Sequence, residues 1–318
     1  NKVSHMNKQL LAKINRALKT TKAHCMAPVT KEALQTRLTE ELNWADADLD
    51  RWACIRLLAD VMVRVRSAGI VTSPGYGFLT SSFLLYLAGV TRVNPVEWDL
   101  PFSHFLRAFR PDNYLVLETG IGGIAVAETV LKNRDEIIIE TEPGIFQITF
   151  LDGHQKEPFQ LRIIEYIELD RFRSTLRDGW HRLDAATLRH FGRGTTDGSI
   201  WFESDKMREW LTDFCPESMS DLVLLRSLYY PGRIELFPEI LRRKLNPDGI
   251  PSAGNTAADR ILRDTYGVLV YQEQALMLQR ASFPVEEQFK DLALKGHEVA
   301  RTMLSVEAIW PRRFNTSL

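Results

Sequence analysis

Residues 69–89 read GIVTSPGYGFLTSSFLLYLAG, and this stretch decides the fold predicted for the first half of the chain. An extended apolar approach leads into a Pro-Gly turn and a run of small residues, and an apolar helix follows directly. Such a loop presents backbone N–H groups to an anion at the start of a helix. Tyr76 and Phe78, however, stand where a nucleotide site needs a cation and a hydroxyl. The stretch therefore predicts a degenerate phosphate loop, built on Gly75, Tyr76, Gly77 and Phe78.

Three blocks of the sequence resemble the alpha subunit of bacterial DNA polymerase III, a C-family DNA polymerase, and they occur in the family's order. Residues 74–77 and 90–100 resemble P-G-R-G-S and the pattern I-T-x-x-D-P-L-x-x-D-L that follows it. Residues 219–232 are similar to D-x-x-x-L-x-A-L-x-R-P-G-P, and residues 266–274 to Y-G-x-x-x-Y-Q-E-Q. The resemblance covers roughly residues 35–300, which is more than a single motif match provides.

The departures from this family pattern concern the catalytic residues. The family's two metal-binding aspartates lie in a P-D-x-D-x-D-F strand, whereas residues 109–118 read FRPDNYLVLE and contain no D-x-D. Residues 120–127 resemble the family segment H-A-G-G-V-V-I-A, so that Gly120 replaces the histidine, and Glu165 falls on the third aspartate. Because two-metal phosphoryl transfer needs several carboxylates around both ions, one glutamate cannot support it. We therefore expect no catalytic residue, no bound metal and no cofactor.

Further substitutions lie in the C-terminal blocks. Tyr230 replaces the arginine of R-P-G-P, and Asp291 and Leu292 replace the paired arginines of the family's R-R-A-M-G segment. The resemblance thus implies a truncated, catalytically degenerate relative that acts as a DNA- or protein-binding factor in replication, repair or mutagenesis. Since the family's own activity is DNA-directed DNA polymerase, an active polymerase fragment remains an alternative.

Bulk composition is typical of a globular protein of the cytoplasm. The 318 residues are 45% hydrophobic and 25% charged, and no apolar run is long enough to span a bilayer. Cys25, Cys54 and Cys215 are odd in number and widely spaced, which argues for a reducing compartment and against a structural zinc site. Residues 1–5 have the character of a cloning remnant, so Met6 is the expected natural start.

Charge is distributed unevenly along the chain. The formal net charge is −1, but residues 1–31 carry seven basic residues and no acidic one, which leaves 33 basic and 41 acidic residues in the remainder. Leu10, Ile14 and Leu18 recur at helical spacing, so residues 1–30 are predicted to form a basic amphipathic arm. Such an arm either packs on its own domain or binds DNA or an acidic partner.

The order of the predicted elements gives an α+β fold. Thr30 caps one predicted helix, and Asp48 or Asp50 starts a second helix that ends at Gly69. Runs rich in β-formers follow at Leu115–Glu118, Ile124–Ala127, Ile137–Glu140, Phe146–Leu151 and Gln160–Ile167. Helices dominate again after Leu169. We predict a basic helical arm (1–30), a truncated, degenerate palm-like domain with a small mixed or antiparallel sheet (31–168), and a helical fingers-like domain (169–318).

Residues 115–122, LVLETGIG, admit a different interpretation, because they also resemble the first motif of S-adenosylmethionine methyltransferases and dinucleotide-binding folds. Glu140 follows Gly120 by about 20 residues, where such folds carry an acid for the ribose hydroxyls. A doubly wound sheet needs further βα units, however, and the chain after Ile167 supplies mainly helices. A nucleotide- or S-adenosylmethionine-binding enzyme using the Gly120-Ile121-Gly122 motif remains an alternative. The conformation of residues 123–130 distinguishes the two interpretations, since the polymerase resemblance predicts a strand there and a cofactor site predicts a helix.

The remaining titratable residues do not form a recognisable catalytic pattern. Glu165 and Glu168 lie three apart and would face opposite sides of a strand. Glu165 paired with Glu118 or Glu140 across a sheet is more typical of solvated charges than of a metal site. The seven histidines have neither metal-ligand spacing nor a nucleophile beside them.

The densest basic cluster outside the arm lies in the predicted fingers-like domain, where phosphate contacts would need such side chains. The candidate DNA-binding residues are Arg242, Arg243, Lys244, Tyr271, Gln272, Gln274 and Arg280. Acidic residues such as Glu239 and Asp264 are interleaved with them, so a solvated helical surface is the competing interpretation. The expected partners are DNA, bound weakly and without sequence preference, or another replication or repair protein, and no membrane.

Overall fold

The structure is a computed structural model, in which the chain folds as two compact units, Asn1–His181 and Arg182–Leu318, here called unit 1 and unit 2. The residues that the structure describes are 2–21, 29–132, 134, 136–150, 157–171, 185–199 and 201–281. No helix within these ranges is long and apolar enough to cross a membrane.

Unit 1 is largely helical outside one sheet. Its helices are α1 Lys2–Thr21, α2 Lys31–Asp46, α3 Leu49–Ser67, α4 Phe83–Ala88, α5 Phe102–Ala108, α6 Gly123–Leu131 and α7 Ile167–Arg171. The predicted caps are confirmed, because the Thr30 hydroxyl accepts a hydrogen bond from the Ala33 N–H and the Asp48 carboxylate accepts one from the Asp50 N–H. Helix α3 ends shortly before Gly69, which adopts a left-handed φ of 74°.

The basic arm predicted at the start of the chain is helix α1, and it packs into unit 1. Leu10 and Ile14 are 8% and 0% exposed and belong to the hydrophobic core. The Lys13 ammonium donates a hydrogen bond to the Ala88 carbonyl at the end of α4, at 2.8 Å. The exposed face of the helix carries basic side chains such as Lys8 and Arg16. The helix thus contributes both core packing and surface charge.

The sheet of unit 1 is mixed, as the α+β prediction requires. Its strands are β1 Tyr114–Thr119, β2 Ile137–Glu142, β3 Ile145–Thr149 and β4 Phe159–Glu165, in the spatial order β1-β4-β3-β2. Strand β1 pairs with β4 in parallel, and the β2–β3 and β3–β4 pairs are antiparallel. Leu151, the predicted end of one strand, lies outside the described residues.

The strand predicted at Ile124–Ala127 is wrong, because these residues lie in helix α6. The short apolar run contains β-branched residues, and its period alone does not separate a strand from a helix. Contacts from a distant segment decide the conformation, since the Glu165 carboxylate accepts hydrogen bonds from the Gly122 and Ile124 N–H groups at the first turn of α6. A helix at residues 123–130 is what a cofactor site predicts. The sheet, however, contains two antiparallel strand pairs, whereas the sheet of a doubly wound fold is mostly parallel.

One face of the sheet is buried and the other is open. Leu115 and Leu117 of β1 and Leu161 and Ile163 of β4 are each less than 5% exposed and lie on one face, next to the core that contains α3. On the opposite face Tyr114 is 43% exposed. This alternation follows from the two-residue period of a strand.

Aromatic side chains join the helices of unit 1 to the sheet. The Phe105 ring of α5 lies 5.2 Å from the Trp44 ring of α2 and 5.0 Å from the Phe109 ring, measured between centroids. The Phe109 ring in turn lies 5.1 Å from the Phe159 ring of β4. Edge-to-face and offset contacts of this kind add to the stabilisation from buried area.

Unit 2 is helical in its described part. The helices are α8 Ala185–Gly192, α9 Asp205–Phe214, α10 Met219–Leu228, α11 Phe237–Leu245, α12 Thr256–Leu262 and α13 Gln272–Arg280. Ser204 and Ser218 cap α9 and α10 through their hydroxyl groups, and Asn255 caps α12 through its carboxamide oxygen. The Trp210 ring of α9 stacks on the Phe237 ring of α11 with 4.1 Å between centroids.

Candidate functional site

The degenerate phosphate loop lies against the C-terminal end of strand β1. The Ser73 N–H donates a hydrogen bond to the Glu118 carbonyl at 3.1 Å. Gly75 has a φ of 153°, and a Cβ placed there would lie 2.7 Å from Cγ2 of Thr80. Glycine is therefore required at this position because the Thr80 side chain lies too close to leave room for a Cβ.

The aromatic replacements in the loop contact the protein itself. Tyr76 is half-buried and precedes a 3₁₀ turn at Gly77–Ser81, which separates the loop from helix α4. Phe78 is also half-buried, and its ring centroid lies 5.9 Å from that of Phe105 in the aromatic core of unit 1. One of the two aromatic replacements in the loop thus contributes to core packing.

Backbone N–H groups at the start of α4 are already bound by the chain. Glu41 of α2 accepts hydrogen bonds from the Phe83 N–H at 2.9 Å, the Leu84 N–H at 2.8 Å and the Ser82 hydroxyl at 2.7 Å. The Leu85 N–H donates to the Ser82 hydroxyl at 3.2 Å. The backbone N–H groups of Phe83, Leu84 and Leu85 are therefore bound within the chain and are not free for an external anion.

Arg37 completes this buried cluster. Its Nε lies 2.6 Å from Oε1 of Glu41, whose side chain is 0% exposed, and its guanidinium also donates to the Ser81 and Leu100 carbonyls. Burial raises the pKa of Glu41, and the charge of Arg37 and the hydrogen bonds to the carboxylate oppose that shift. One ion pair thus joins α2, the loop, the start of α4 and the segment before α5.

The Gly120-Ile121-Gly122 turn between β1 and α6 is also bound by carboxylates of the chain. Oε1 of Glu165 accepts from the Gly122 and Ile124 N–H groups at 3.0 and 2.8 Å, and Oδ2 of Asp170 accepts from the Ile121 N–H at 2.8 Å. A pyrophosphate or cofactor carboxylate at this turn would have to displace both side chains.

The carboxylates near the sheet do not form a metal site. Glu165 is in register with Thr119, whereas Glu118 is in register with Ile164, so the two glutamates point to opposite faces. Glu140 lies on β2, and its carboxylate accepts from the Gly144 N–H at 3.1 Å. In the described ranges, no three His, Cys, Asp or Glu side chains are grouped to hold a metal ion. The donor set therefore does not fit the two-metal site that the family resemblance implies.

All three residues of the predicted basic cluster make contacts within the chain, and two of them are largely buried. Arg243 binds Glu239 at 2.7 Å and donates to the Tyr266 carbonyl, and Lys244 donates to the Cys215 carbonyl at 3.0 Å. Their side chains are only 13% and 11% exposed. Arg242 also pairs with Glu239, at 2.8 Å, but its side chain is 53% exposed. Arg242 is thus the accessible member of the cluster.

The Y-Q-E-Q block is mainly structural. Tyr271 is 1% exposed, and Oε1 of Gln274 accepts from the Val270 and Tyr271 N–H groups at 3.0 and 2.9 Å at the start of α13. Gln272 is half-buried and Arg280 is exposed, so these two remain accessible. The remaining residues for which the family pattern gave an expectation, Asp291 and Leu292, lie outside the described part of the chain.

Sequence reasoning missed a ladder of alternating aromatic and arginine side chains in unit 2. The Arg226 guanidinium lies 4.8 Å from the Trp201 ring centroid and 4.7 Å from that of Tyr230, and the Arg233 guanidinium lies 4.9 Å from that of Tyr230. Trp201 is 36% exposed, whereas Arg226 is 5% exposed. We call these four residues the stacking ladder. The sequence does contain a signal for the contacts around Tyr230, because arginines lie four residues before it and three residues after it.

Two family models match parts of the chain, one in unit 1 and one mainly in unit 2. The family model of the bacterial DNA polymerase III alpha NTPase domain matches residues 7–113, and that of the bacterial DNA polymerase III alpha subunit finger domain matches residues 175–290. This chain is a relative of the bacterial DNA polymerase III alpha subunit. The degenerate loop lies in the first match and the stacking ladder in the second. Residues 114–174, which contain the sheet and Glu165, lie outside both, so their alignment with the family stays a prediction.

Individual polymerase III alpha subunits match shorter stretches. The subunit from Xylella fastidiosa is 42% identical over 94 residues, which are 28% of this chain and 7% of that protein. The subunit from Borreliella burgdorferi is 36% identical over 93 residues (29% and 8%), and that from Staphylococcus epidermidis 38% over 85 residues (27% and 8%). The matched stretch spans less than a tenth of the length of these curated relatives.

The substitution Glu41→Gln is expected to lower the free energy of unfolding by about 3–5 kcal/mol, because it leaves Arg37 without its buried counter-charge. The matched control is Glu40→Gln, which changes the same chemistry one residue away at an exposed position and should stay within about 0.5 kcal/mol of the parent. Urea unfolding followed by circular dichroism measures both. Equal losses in the two variants would contradict the assigned role of the ion pair.

A second prediction concerns His104, which lies behind the loop with Nδ1 2.9 Å from the Ser81 hydroxyl. Burial, together with the nearby charge of Arg107, lowers the pKa of His104 to about 4. The unfolded chain therefore binds a proton between pH 6.5 and 4 that the folded chain does not, and stability falls as the pH falls through this window.

The His104 contribution to this loss is about 2 kcal/mol between pH 7 and pH 5. The variant His104→Asn keeps a polar atom near Ser81 and cannot titrate, so its free energy of unfolding should fall by that much less over the same interval. Denaturant unfolding at the two pH values gives the difference. Parallel pH profiles for parent and variant would show that His104 is protonated normally in the folded state.

Proposed function

We propose that this protein binds DNA without polymerising it and acts in bacterial DNA replication, repair or mutagenesis in the cytoplasm. The observation that carries the proposal is the stacking ladder, which lies within the stretch matched to the finger domain of a DNA polymerase. Proteins that bind single strands without sequence preference commonly stack the bases on aromatic side chains, with arginines nearby that add cation–π contacts.

The ladder has the parts that a base-stacking surface needs. Trp201 lies at the end of the ladder, is 36% exposed and offers an aromatic face. The buried Arg226 lies between the Trp201 and Tyr230 rings and also donates to the Tyr230 hydroxyl at 3.1 Å, which fixes the Tyr230 ring. Arg233 supplies a half-buried positive charge beside Tyr230. Stacking supported by a few cations gives weak, salt-dependent and sequence-tolerant binding.

The accessible basic residues supply further phosphate contacts under this proposal. Among the predicted DNA-binding residues of unit 2 these are Arg242 and Arg280, and in unit 1 the exposed face of α1 carries Lys8 and Arg16. The total charge of the chain is −1, so binding relies on local patches and not on a general positive surface.

The test of DNA binding compares Trp201→Ala with Tyr114→Ala, since Tyr114 is an equally accessible aromatic beside an arginine in unit 1. Fluorescence anisotropy with a labelled single-stranded oligonucleotide should show affinity falling steeply with salt. Trp201→Ala should weaken binding roughly 5- to 100-fold, the loss expected for one stacked base, and Tyr114→Ala should not. Failure of the parent to bind even at low salt would overturn the DNA proposal and leave a protein partner as its successor.

Polymerase activity is not part of the proposal, because the carboxylates that a two-metal mechanism needs do not converge. Glu165 binds two backbone N–H groups at the start of α6, and Glu118 points to the other face of the sheet. Primer extension with all four deoxynucleotides and Mg²⁺ or Mn²⁺ is therefore expected to give no product above a heat-denatured control. Incorporation that disappears in Glu165→Ala would establish the alternative of an active polymerase fragment.

One observation favours a second candidate function, a nucleotide- or S-adenosylmethionine-binding enzyme. Helix α6 follows the Gly120-Ile121-Gly122 turn directly, as such sites require. Glu165 and Asp170 count against it, since both carboxylates occupy the turn where the ligand would bind. Calorimetric titration with S-adenosylmethionine and with deoxynucleoside triphosphates distinguishes the two functions, and micromolar affinity for either ligand would favour the enzyme.

A further inference from the structure

Unit 2 contains a cleft between helix α8 and the segment that joins α9 to α10. Its volume is about 420 Å³, within the range of roughly 300–1,000 Å³ that is typical of clefts for small molecules. Leu188 and Gly192 of α8 line one side, and Cys215 and Pro216 line the other. The described residues that line the cleft include no member of the stacking ladder, so the cleft is a second candidate site in this unit.

The wall formed by the α9–α10 segment is fixed by contacts with its surroundings. The Cys215 carbonyl accepts a hydrogen bond from the Lys244 ammonium at 3.0 Å, and the Glu217 N–H donates to the Asp221 carboxylate at 2.8 Å. The Cys215 N–H donates to the Leu211 carbonyl in the last turn of α9, at 3.0 Å. The wall therefore keeps its shape without a ligand, as is usual for small-molecule sites.

The facing wall is fixed by the packing of α8. Phe191 is 0% exposed, and its ring centroid lies 5.2 Å from that of Phe202. A Cβ placed on Gly192 would lie 3.6 Å from Cα of Cys215, which is van der Waals contact. The two walls therefore meet at Gly192, and the cleft beside it has a defined shape.

Positive charge is in excess in this cleft. Arg189 and Arg193 both line it, are both exposed and lie four residues apart, and within the described ranges neither has an ion pair. Two like charges at this spacing repel each other, and an anion between them would remove that repulsion. Glu217 is the one carboxylate among the described lining residues, and its side chain is 83% exposed and lies 4.0 Å from the Lys244 ammonium.

The rest of the lining is mainly apolar. Ala185, Leu188 and Pro216 supply carbon surface, and the described lining residues include no histidine, amide or hydroxyl side chain. A strongly polar ligand such as a free sugar would therefore leave most of its hydrogen-bonding groups without partners. The chemistry that fits is an apolar body that carries a negative charge.

We propose that this cleft binds a small organic anion, an apolar molecule of one or two rings that carries a phosphate or carboxylate group. The acidic group lies between Arg189 and Arg193, because guanidinium groups match both kinds of oxyanion in geometry. The apolar body lies against Leu188 and Pro216. This binding is independent of the DNA binding proposed above.

Isothermal titration calorimetry of the full chain with 1-naphthyl phosphate tests the proposal, and 1-naphthol and inorganic phosphate represent the two halves of that probe. We expect saturable binding of 1-naphthyl phosphate and at least about 10-fold weaker binding of either half, because the site needs both the charge and the apolar body. A parent that does not bind 1-naphthyl phosphate saturably, or that binds either half as tightly, overturns the proposal.

The role of the two arginines is tested by substitution. Arg189→Gln and Arg193→Gln should each weaken the binding of 1-naphthyl phosphate by roughly 10-fold or more, the loss expected for one charge-assisted hydrogen bond. The matched control Arg260→Gln removes another exposed arginine of unit 2 that does not line the cleft, and should bind like the parent. Circular dichroism confirms that each variant is folded. Arginine variants that bind the probe like the parent, or that weaken only the binding of single-stranded DNA, contradict the assignment.

The place of binding is tested at Cys215, whose exposed side chain lines the cleft. In a Cys25→Ser background the other cysteine, Cys54, is buried, so alkylation by N-ethylmaleimide reports on Cys215. Saturating 1-naphthyl phosphate should slow this alkylation several-fold, whereas the same concentration should have little effect once Arg189 and Arg193 are both replaced by glutamine. An alkylation rate that stays constant at saturation would place the probe elsewhere and overturn the proposal.

Discussion

The ion pair between Arg37 and Glu41 is the contact on which the first unit depends. Both residues lie on one helix, yet between them they bind backbone groups of the 3₁₀ turn, the start of α4 and the segment before α5. A buried pair stabilises only if its remaining hydrogen-bonding positions are satisfied. Here every neighbouring segment supplies one of those hydrogen bonds, so the position of the loop depends on this cluster as much as on apolar packing.

The same arrangement recurs at the β1–α6 turn and bears on function. There Glu165 and Asp170 come from the end of β4 and from α7, and they bind the N–H groups that a phosphate would otherwise take. At both places a carboxylate of the chain accepts hydrogen bonds from the backbone N–H groups at the start of a helix, where the helix dipole favours a negative charge. In unit 1 the starts of α4 and α6 thus have backbone N–H groups that carboxylates of the chain already bind.

Local sequence signals predicted those parts of the fold that local contacts determine. The caps at Thr30 and Asp48 involve neighbours two or three residues away, and the four strands of the sheet lie in runs rich in β-formers. Helix α6 was mistaken for a strand because its cap, Glu165, lies 41 residues from Ile124. The partners of Lys244 and the approach of Trp201 to Arg226 are likewise set by packing between distant segments. Such contacts have no periodicity that a single sequence could reveal.

The position of Phe78 against Phe105 has a consequence for the substitutions that this loop tolerates. A small polar residue at position 78 would leave a cavity beside Phe105. Emptying a fully buried site of this size costs on the order of 3–5 kcal/mol, and because Phe78 is half-buried the cost here is a fraction of that figure. Even a fraction is a sizeable part of the margin that keeps a domain folded. A phosphate-binding side chain at this position would therefore need a larger neighbour to fill the space.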